Sequence, residues 1–171
     1  MRMRIEKERT PRGQDDLAIK TGKGGLMDAE FIAQTLCLEN GWQEANTLRA
    51  LERGRDAVGV QPSGFVPVKG TLKRELQPLT RGDFERLLEN YRQLRRVEGI
   101  LRRWSYEGET VLPDDAPAFY RVSVRCGFLK PDEFKRALAK WRRAIREVYG
   151  KVFDATVPGR KEENRIRKSC G

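Results

Sequence analysis

Thr80-Arg81-Gly82-Asp83-Phe84-Glu85-Arg86-Leu87-Leu88-Glu89-Asn90-Tyr91 opens a run whose apolar residues continue through Leu94, Val97, Leu101 and Trp104. Three–four spacing held over that length places one apolar stripe along a helix. Thr80 stands where a helix is capped, and Asp83, three residues on, completes a near capping box. The spacing predicts a helix from Thr80 to about Tyr106. Its opposite face is rich in arginine, with Arg86, Arg92, Arg95, Arg96, Arg102 and Arg103. So long a stripe needs other helices to cover it, which points to a helical bundle.

The remaining elements agree. Pro131 suits a first helical position, and from Asp132 to about Phe153 a second long stripe carries Phe134, Ala137, Leu138, Trp141, Ile145, Val148, Tyr149 and Val152. A shorter helix is expected over Ala116–Cys126, with Phe119, Tyr120, Val122 and Val124, stopped by Gly127. Leu26 to about Asn40 is apolar all round, which predicts a central, largely buried helix ended by Asn40-Gly41, with Trp42 closing over its end. Glu44–Val58 has a narrow stripe of Ala45, Leu48 and Leu51, with Arg55 at its margin. Either Asn46 or Thr47 caps it, and its Leu51–Arg55 end is weak. The fold class is therefore all-α: a bundle of about five helices, interrupted by an irregular Gly/Pro-rich insertion between Val58 and Pro78.

Flanking this bundle, Met1–Arg9 reads as the tail of a helix and Thr10–Asp16 as a polar connection. Leu17-Ala18-Ile19 suits a short strand but has no evident strand partner. Residues 154–171 are charged, contain Pro158-Gly159, and read as a flexible tail. The expected organisation is a link over 1–25, the bundle over 26–153 and the tail over 154–171.

Composition narrows the chemistry. The 171 residues are 38% hydrophobic and 35% charged, with a mean hydropathy of −0.71, as expected of a soluble α-rich domain. No apolar run approaches the ~20 residues of a membrane span, and the first residues lack the apolar core of a signal peptide. Cys37, Cys126 and Cys170 are odd in number and far apart, against both a disulfide framework and a zinc site. The cytoplasm is the expected compartment. The chain has no histidine, which removes Ser–His and Cys–His nucleophiles and histidine-bound metals. The net charge of +10 and pI of about 9.8 invite a nucleic-acid reading. However, 25 acids are interleaved with 35 bases, a pattern of solvated helix faces. Nucleic acid is the alternative and not the expectation.

Lys20-Thr21-Gly22-Lys23-Gly24-Gly25-Leu26-Met27-Asp28-Ala29-Glu30-Phe31 is the stretch with chemical potential. Glycines let a backbone approach a ligand or another domain closely. The N–H groups of the following helical turn, with Lys20 and Lys23, can hold an anion such as a phosphate. Asp28 and Glu30 suit the same first turn as dipole partners, but two residues apart they diverge by about 200° and cannot both serve one site. The stretch is neither a Walker loop nor a dinucleotide fingerprint. On pattern alone, an ordinary glycine turn with solvated lysines and with Asp28 and Glu30 as dipole partners is the favoured reading. The pairs Asp15-Asp16 and Asp114-Asp115 lie in turns and read as turn formers. Glu98 stands at i+3 from Arg95 and i−4 from Arg102, the position of an intrahelical counter-charge.

Lys20-x-Gly22-x-Gly24-Gly25-Leu26-x-Asp28-x-Glu30-Phe31-Ile32-x-Gln34 resembles the motif that follows the nucleotidyltransferase domain of glutamine synthetase adenylyltransferases. A shorter form resembles the same position in the related PII uridylyltransferases. The likeness continues through Asn46-Thr47-Leu48, Ala50-Leu51, Tyr91-Arg92-x-Leu94-Arg95-Arg96-Val97-Glu98-x-x-Leu101-Arg102 and Leu112-Pro113-Asp114, and covers roughly residues 1–153. The retained Asp28-x-Glu30-Phe31 favours the adenylyltransferase branch. The Val58–Pro78 stretch departs from the pattern, as does Gly99, where histidine or another large residue is common.

The resemblance implies a parent enzyme that moves AMP from ATP to a tyrosine of glutamine synthetase and removes it by phosphorolysis, in control of nitrogen metabolism. It implies ATP and magnesium as the parent's cofactors, and the preceding nucleotidyltransferase domain, glutamine synthetase and the PII signal protein as partners. The metal-binding aspartates of such a domain follow a Gly-Ser turn, a motif this chain lacks, so it looks like the helical domain behind it and inactive alone. A chain end soon after Phe153 fits a C-terminal, adenylylating position. By the same resemblance Lys20, Lys23, Gly24 and Gly25 face nucleotide phosphates or the domain seam. Asp28 and Glu30 fix that seam or, more weakly, join a metal shell. Arg92, Arg95, Arg96 and Arg102 are candidates for a neighbouring domain or an acidic partner, against a simple solvated face.

Overall fold

The computed structural model describes residue 10 and residues 13–59, 79–105 and 111–153. The expectations for Met1–Arg9, for most of the Gly/Pro-rich insertion and for the tail fall outside these residues. Among the described residues are five helices: α1 Leu26–Asn40, α2 Thr47–Ala57, α3 Arg81–Ser105, α4 Ala116–Arg125 and α5 Pro131–Phe153. The fold is an all-α bundle.

The two long helices form its axis. α3 packs against α5, α2, α1 and α4, and α5 also meets α1 and α4. From the α3 stripe Leu87, Leu88, Tyr91, Leu94, Val97 and Leu101 share one core with Phe134, Leu138, Ile145, Val148 and Val152 of α5, and Phe84 is buried beside Gly54 of α2. At about 1.5–3 kcal/mol for each large side chain removed from water, this shared stripe is the main term holding the bundle together.

The capping chemistry follows the residues that announced it. Thr80 Oγ accepts from the Asp83 N–H at 3.2 Å, and the Asp83 carboxylate accepts from the Thr80 N–H at 3.0 Å and hydroxyl at 2.8 Å. This is a reciprocal capping box. Asn46, the nearer of the two candidates, caps α2 by accepting from the Arg49 N–H at 3.1 Å. Asp115, read from the sequence as a turn former, instead caps α4 through the Ala118 N–H at 2.9 Å. Gly41, at φ +64°, ends α1, and the Trp42 N–H reaches the Cys37 carbonyl at 2.8 Å. The Trp42 ring lies under the Arg53 guanidinium, 4.4 Å from it.

Three expectations are corrected. Helix α1 is not buried all round: Leu26, Ala29, Ile32 and Ala33 face the core, while Leu38 is 84% exposed, because only α2, α3 and α5 cover it. The weak Leu51–Arg55 end of α2 is helical. Gly54 is buried there because a Cβ would stand 2.7 Å from the Phe84 ring, so glycine lets α2 and α3 close together. Leu17–Ile19 does find a partner. Ala18 forms an isolated antiparallel bridge with Val111, and the Leu112 N–H donates to the Leu17 carbonyl at 2.9 Å. This pairing ties the segment before α1 to the one before α4.

Candidate functional site

The Lys20–Gly25 turn is folded onto α5. Arg142, only 8% exposed, projects from the middle of that helix and donates to three carbonyls of the turn region: Asp15 at 2.6 Å, Asp16 at 2.7 Å and Lys23 at 3.0 Å. A guanidinium's fixed fork of donors suits such convergent acceptors, and bonds from a charged donor are the stronger kind. Gly22 and Gly24 permit the approach. A Cβ on Gly22 would stand 2.5 Å from the Arg142 guanidinium, and one on Gly24 1.9 Å from the Arg142 carbonyl oxygen.

Asp28 locks the same junction from the helix side. It is fully buried, accepts from the Gly24 N–H at 2.8 Å and pairs with Arg146 of α5 at 3.3 Å. Arg146 also lies over the Tyr149 ring at 4.8 Å. Breaking a buried pair by removing one partner leaves an uncompensated charge, so Asp28 and Arg146 depend on each other. Glu30 is half-buried and stands near enough to Tyr91 to act on its phenol, which burial chiefly holds above its ordinary range. As their spacing implied, Asp28 and Glu30 point to different places.

The anion-binding reading of the turn changes at the backbone. The Leu26 N–H donates to the Ile19 carbonyl at 3.0 Å, Met27 to Lys20 at 3.2 Å, Asp28 to Gly25 at 3.1 Å, and Gly25 to Gly22 at 3.0 Å. With the Gly24 N–H on Asp28, the donors expected to be free at the start of α1 are occupied by the chain itself. The physical reason is the tightness of the turn: its carbonyls curl back under the first helical turn and take the places an anion would fill. Of the two lysines, Lys23 is exposed and Lys20 half-buried.

The carboxylates do not fit a magnesium site. Asp28 is engaged by a backbone N–H and an arginine, Asp115 is a cap, and among the described residues no group of three acid, cysteine or histidine side chains converges. Asp28's partners include those of the junction, the Gly24 N–H and Arg146.

The arginines of α3 separate by use. Glu98, 2% exposed, takes ion pairs from both Arg95 and Arg102, the latter at 2.9 Å. Arg92 crosses to Glu52 of α2 at 2.5 Å. Arg96 is exposed, with no ion pair to an acid among the described residues. What sequence reasoning missed is Arg142 and Arg146. Arg142 stands four residues after Leu138 and three before Ile145, inside the buried stripe, and a charged residue at a core position was the available signal.

A family model described as GlnD PII-uridylyltransferase matches residues 1–153. The chain belongs to this family. Among curated relatives, the bifunctional glutamine synthetase adenylyltransferase/adenylyl-removing enzyme of Cutibacterium acnes is 31% identical over 147 residues, covering 81% of this chain and 13% of the relative. The enzyme of the same name from Thioalkalivibrio sulfidiphilus is 30% identical over 150 residues, with 88% and 14% covered. That of Rhodopseudomonas palustris is 28% identical over 162 residues, again with 88% and 14% covered. The chain thus spans about one seventh of the length of these relatives. The resemblance read in the glycine stretch and in Tyr91–Arg102 holds at the level of the family, and the relatives' names are those of the adenylyltransferase branch.

Proposed function

We propose that this chain supplies the helical domain of a cytoplasmic glutamine synthetase adenylyltransferase. There it supports transfer of AMP from ATP to a tyrosine of glutamine synthetase, or the removal of that AMP, with the PII protein as a regulatory partner. The observation that carries the reading is the match along most of this chain to a segment of enzymes so named. In-line nucleotidyl transfer uses carboxylate-held magnesium across the phosphates. The acids described here do not fit that task, so magnesium and ATP belong to a nucleotidyltransferase domain preceding the turn.

The contribution of this chain is positioning. The turn, the start of α1 and the middle of α5 form one fixed edge through Arg142, Asp28 and Arg146. A seam with a catalytic domain needs such an edge, because a small misplacement of reacting groups is costly in rate. Lys20 and Lys23 sit on this edge, where they meet the phosphates or the neighbouring domain's acids. The test is AMP transfer to glutamine synthetase by this chain joined to its preceding nucleotidyltransferase domain. Lys20→Ala and Lys23→Ala are expected to lower the rate on the order of tenfold while the melting temperature holds, as for the loss of a charged contact worth about 1.4 kcal/mol. Transfer unchanged in both variants would reduce the turn to a structural element.

A further inference from the structure

Among the acid-free runs of the chain, the one on α5 carries the most cations. From Phe134 to Arg146, α5 carries Lys135, Arg136, Lys140, Arg142, Arg143 and Arg146 and no acid. Arg142 and Arg146 turn inward to the glycine junction. Lys135, Arg136, Lys140 and Arg143 are exposed. Lys135 lies over the Phe119 ring at 5.3 Å. Arg136, Lys140 and Arg143 make no side-chain hydrogen bond or ion pair with another described residue. At 1.5 Å of rise per residue, the four cover about 12 Å of helix.

This row separates two open grooves. One, of about 920 Å³, has an apolar floor from Leu17, Phe119, Leu138 and Ala139, and Asp16 and Asp114 stand on its walls. Its inner end reaches Lys23, Arg142 and Arg146 of the glycine junction, so the outer part along Lys135–Arg143 is the part open to a separate partner. The other, of about 480 Å³, runs between α5 and α3 past Trp141, with Glu89 on its far side. Arg143 and Glu147 border both.

We propose that this outer face of α5 docks an acidic segment of a partner protein, with carboxylates on Arg136, Lys140 and Arg143 and apolar side chains on the groove floor. The charge pattern selects this occupant. A phosphate backbone repeats one negative charge along its length and would meet Asp16, Asp114 and Glu89 as well as the cations. It would also leave the apolar floor unfilled. A polypeptide can place carboxylates against the cations and apolar or basic groups elsewhere. A second copy of this chain is disfavoured by its net charge of +10.

The test uses the full chain and two fluorescent probes at physiological salt, read by anisotropy. One probe is a synthetic 20-residue peptide of glutamate pairs separated by leucine, and the other a random 20-base-pair DNA. The chain is expected to bind the peptide more tightly than the DNA. The combined variant Arg136→Glu, Lys140→Glu, Arg143→Glu should lose about tenfold or more in peptide affinity. A control of equal charge change, Arg49→Glu, Arg81→Glu, Arg103→Glu, should lose less than about threefold. Equal losses in the two variants would show attraction by net charge alone and overturn the proposal. So would tighter binding of DNA that the α5 variant abolishes, or no binding of the peptide. Far-ultraviolet circular dichroism of both variants establishes that they are folded.

Discussion

Gly13 and Gly24 both hold a positive φ, +80° and +68°, yet their surroundings differ completely. A Cβ on Gly13 would meet nothing within 4 Å, whereas one on Gly24 would stand 1.9 Å from a backbone oxygen of α5. Gly13→Ala should therefore cost only the strained φ, about 1–2 kcal/mol. Gly24→Ala adds overpacking against a helix backbone and should cost at least about 3 kcal/mol in urea unfolding. Similar costs for the two would mean that the turn does not rest on α5. The glycines of this stretch were legible as a place of close approach. What approaches was not, because in the sequence Arg142 looks like one more cation among the seven of α5. Its position within the apolar stripe is the only mark that it turns inward.

At the scale of the element, helix ends were the most legible feature, since a cap is local chemistry between residues three apart. The Thr80–Asp83 box is also tied to α5: Lys151 Nζ reaches the Asp83 carboxylate at 2.6 Å. Burial pushes that carboxyl up, but the bonds from Lys151 and from the Thr80 hydroxyl and backbone outweigh it and hold it below its ordinary value. A depressed carboxyl stabilises the fold at pH values above its unfolded value, and the contribution fades as pH falls through the folded one. Asp83→Asn should thus cost about 1–2 kcal/mol near neutral pH, with the gap to the wild type closing as pH drops below the usual carboxylate range. A gap constant with pH would remove the ionic part of the argument. Gly99, in the middle of α3, has open space where a Cβ would be. Gly99→Ala is expected to raise stability by about 0.5–1 kcal/mol through helix propensity, and a loss of stability would mean that Gly99 is held for another reason. The Ala18–Val111 bridge was not legible, because the two residues lie in separate connections and neither segment alternates long enough to declare itself a strand.

For the whole molecule, the bundle followed from two stripes that fit one another, α3 and α5, and the family followed from motifs spread across the same elements. The use of charge did not follow. Net charge and interleaving are averages, and only the fold shows that α3 commits Arg92, Arg95 and Arg102 to Glu52 and Glu98 while Arg136, Lys140 and Arg143 of α5 make no ion pair with a described acid. The fold likewise shows that the start of α1 is closed by its own turn. That closure supports the proposal that the glycine stretch lies at a domain seam and is not a nucleotide site in its own right. Titration calorimetry with ATP and magnesium tests it, on this chain alone and on the chain joined to the nucleotidyltransferase domain proposed to precede it. The account predicts no measurable binding to the chain alone, and binding by the joined protein that Lys20→Ala weakens. Binding of equal affinity by the chain alone would contradict it.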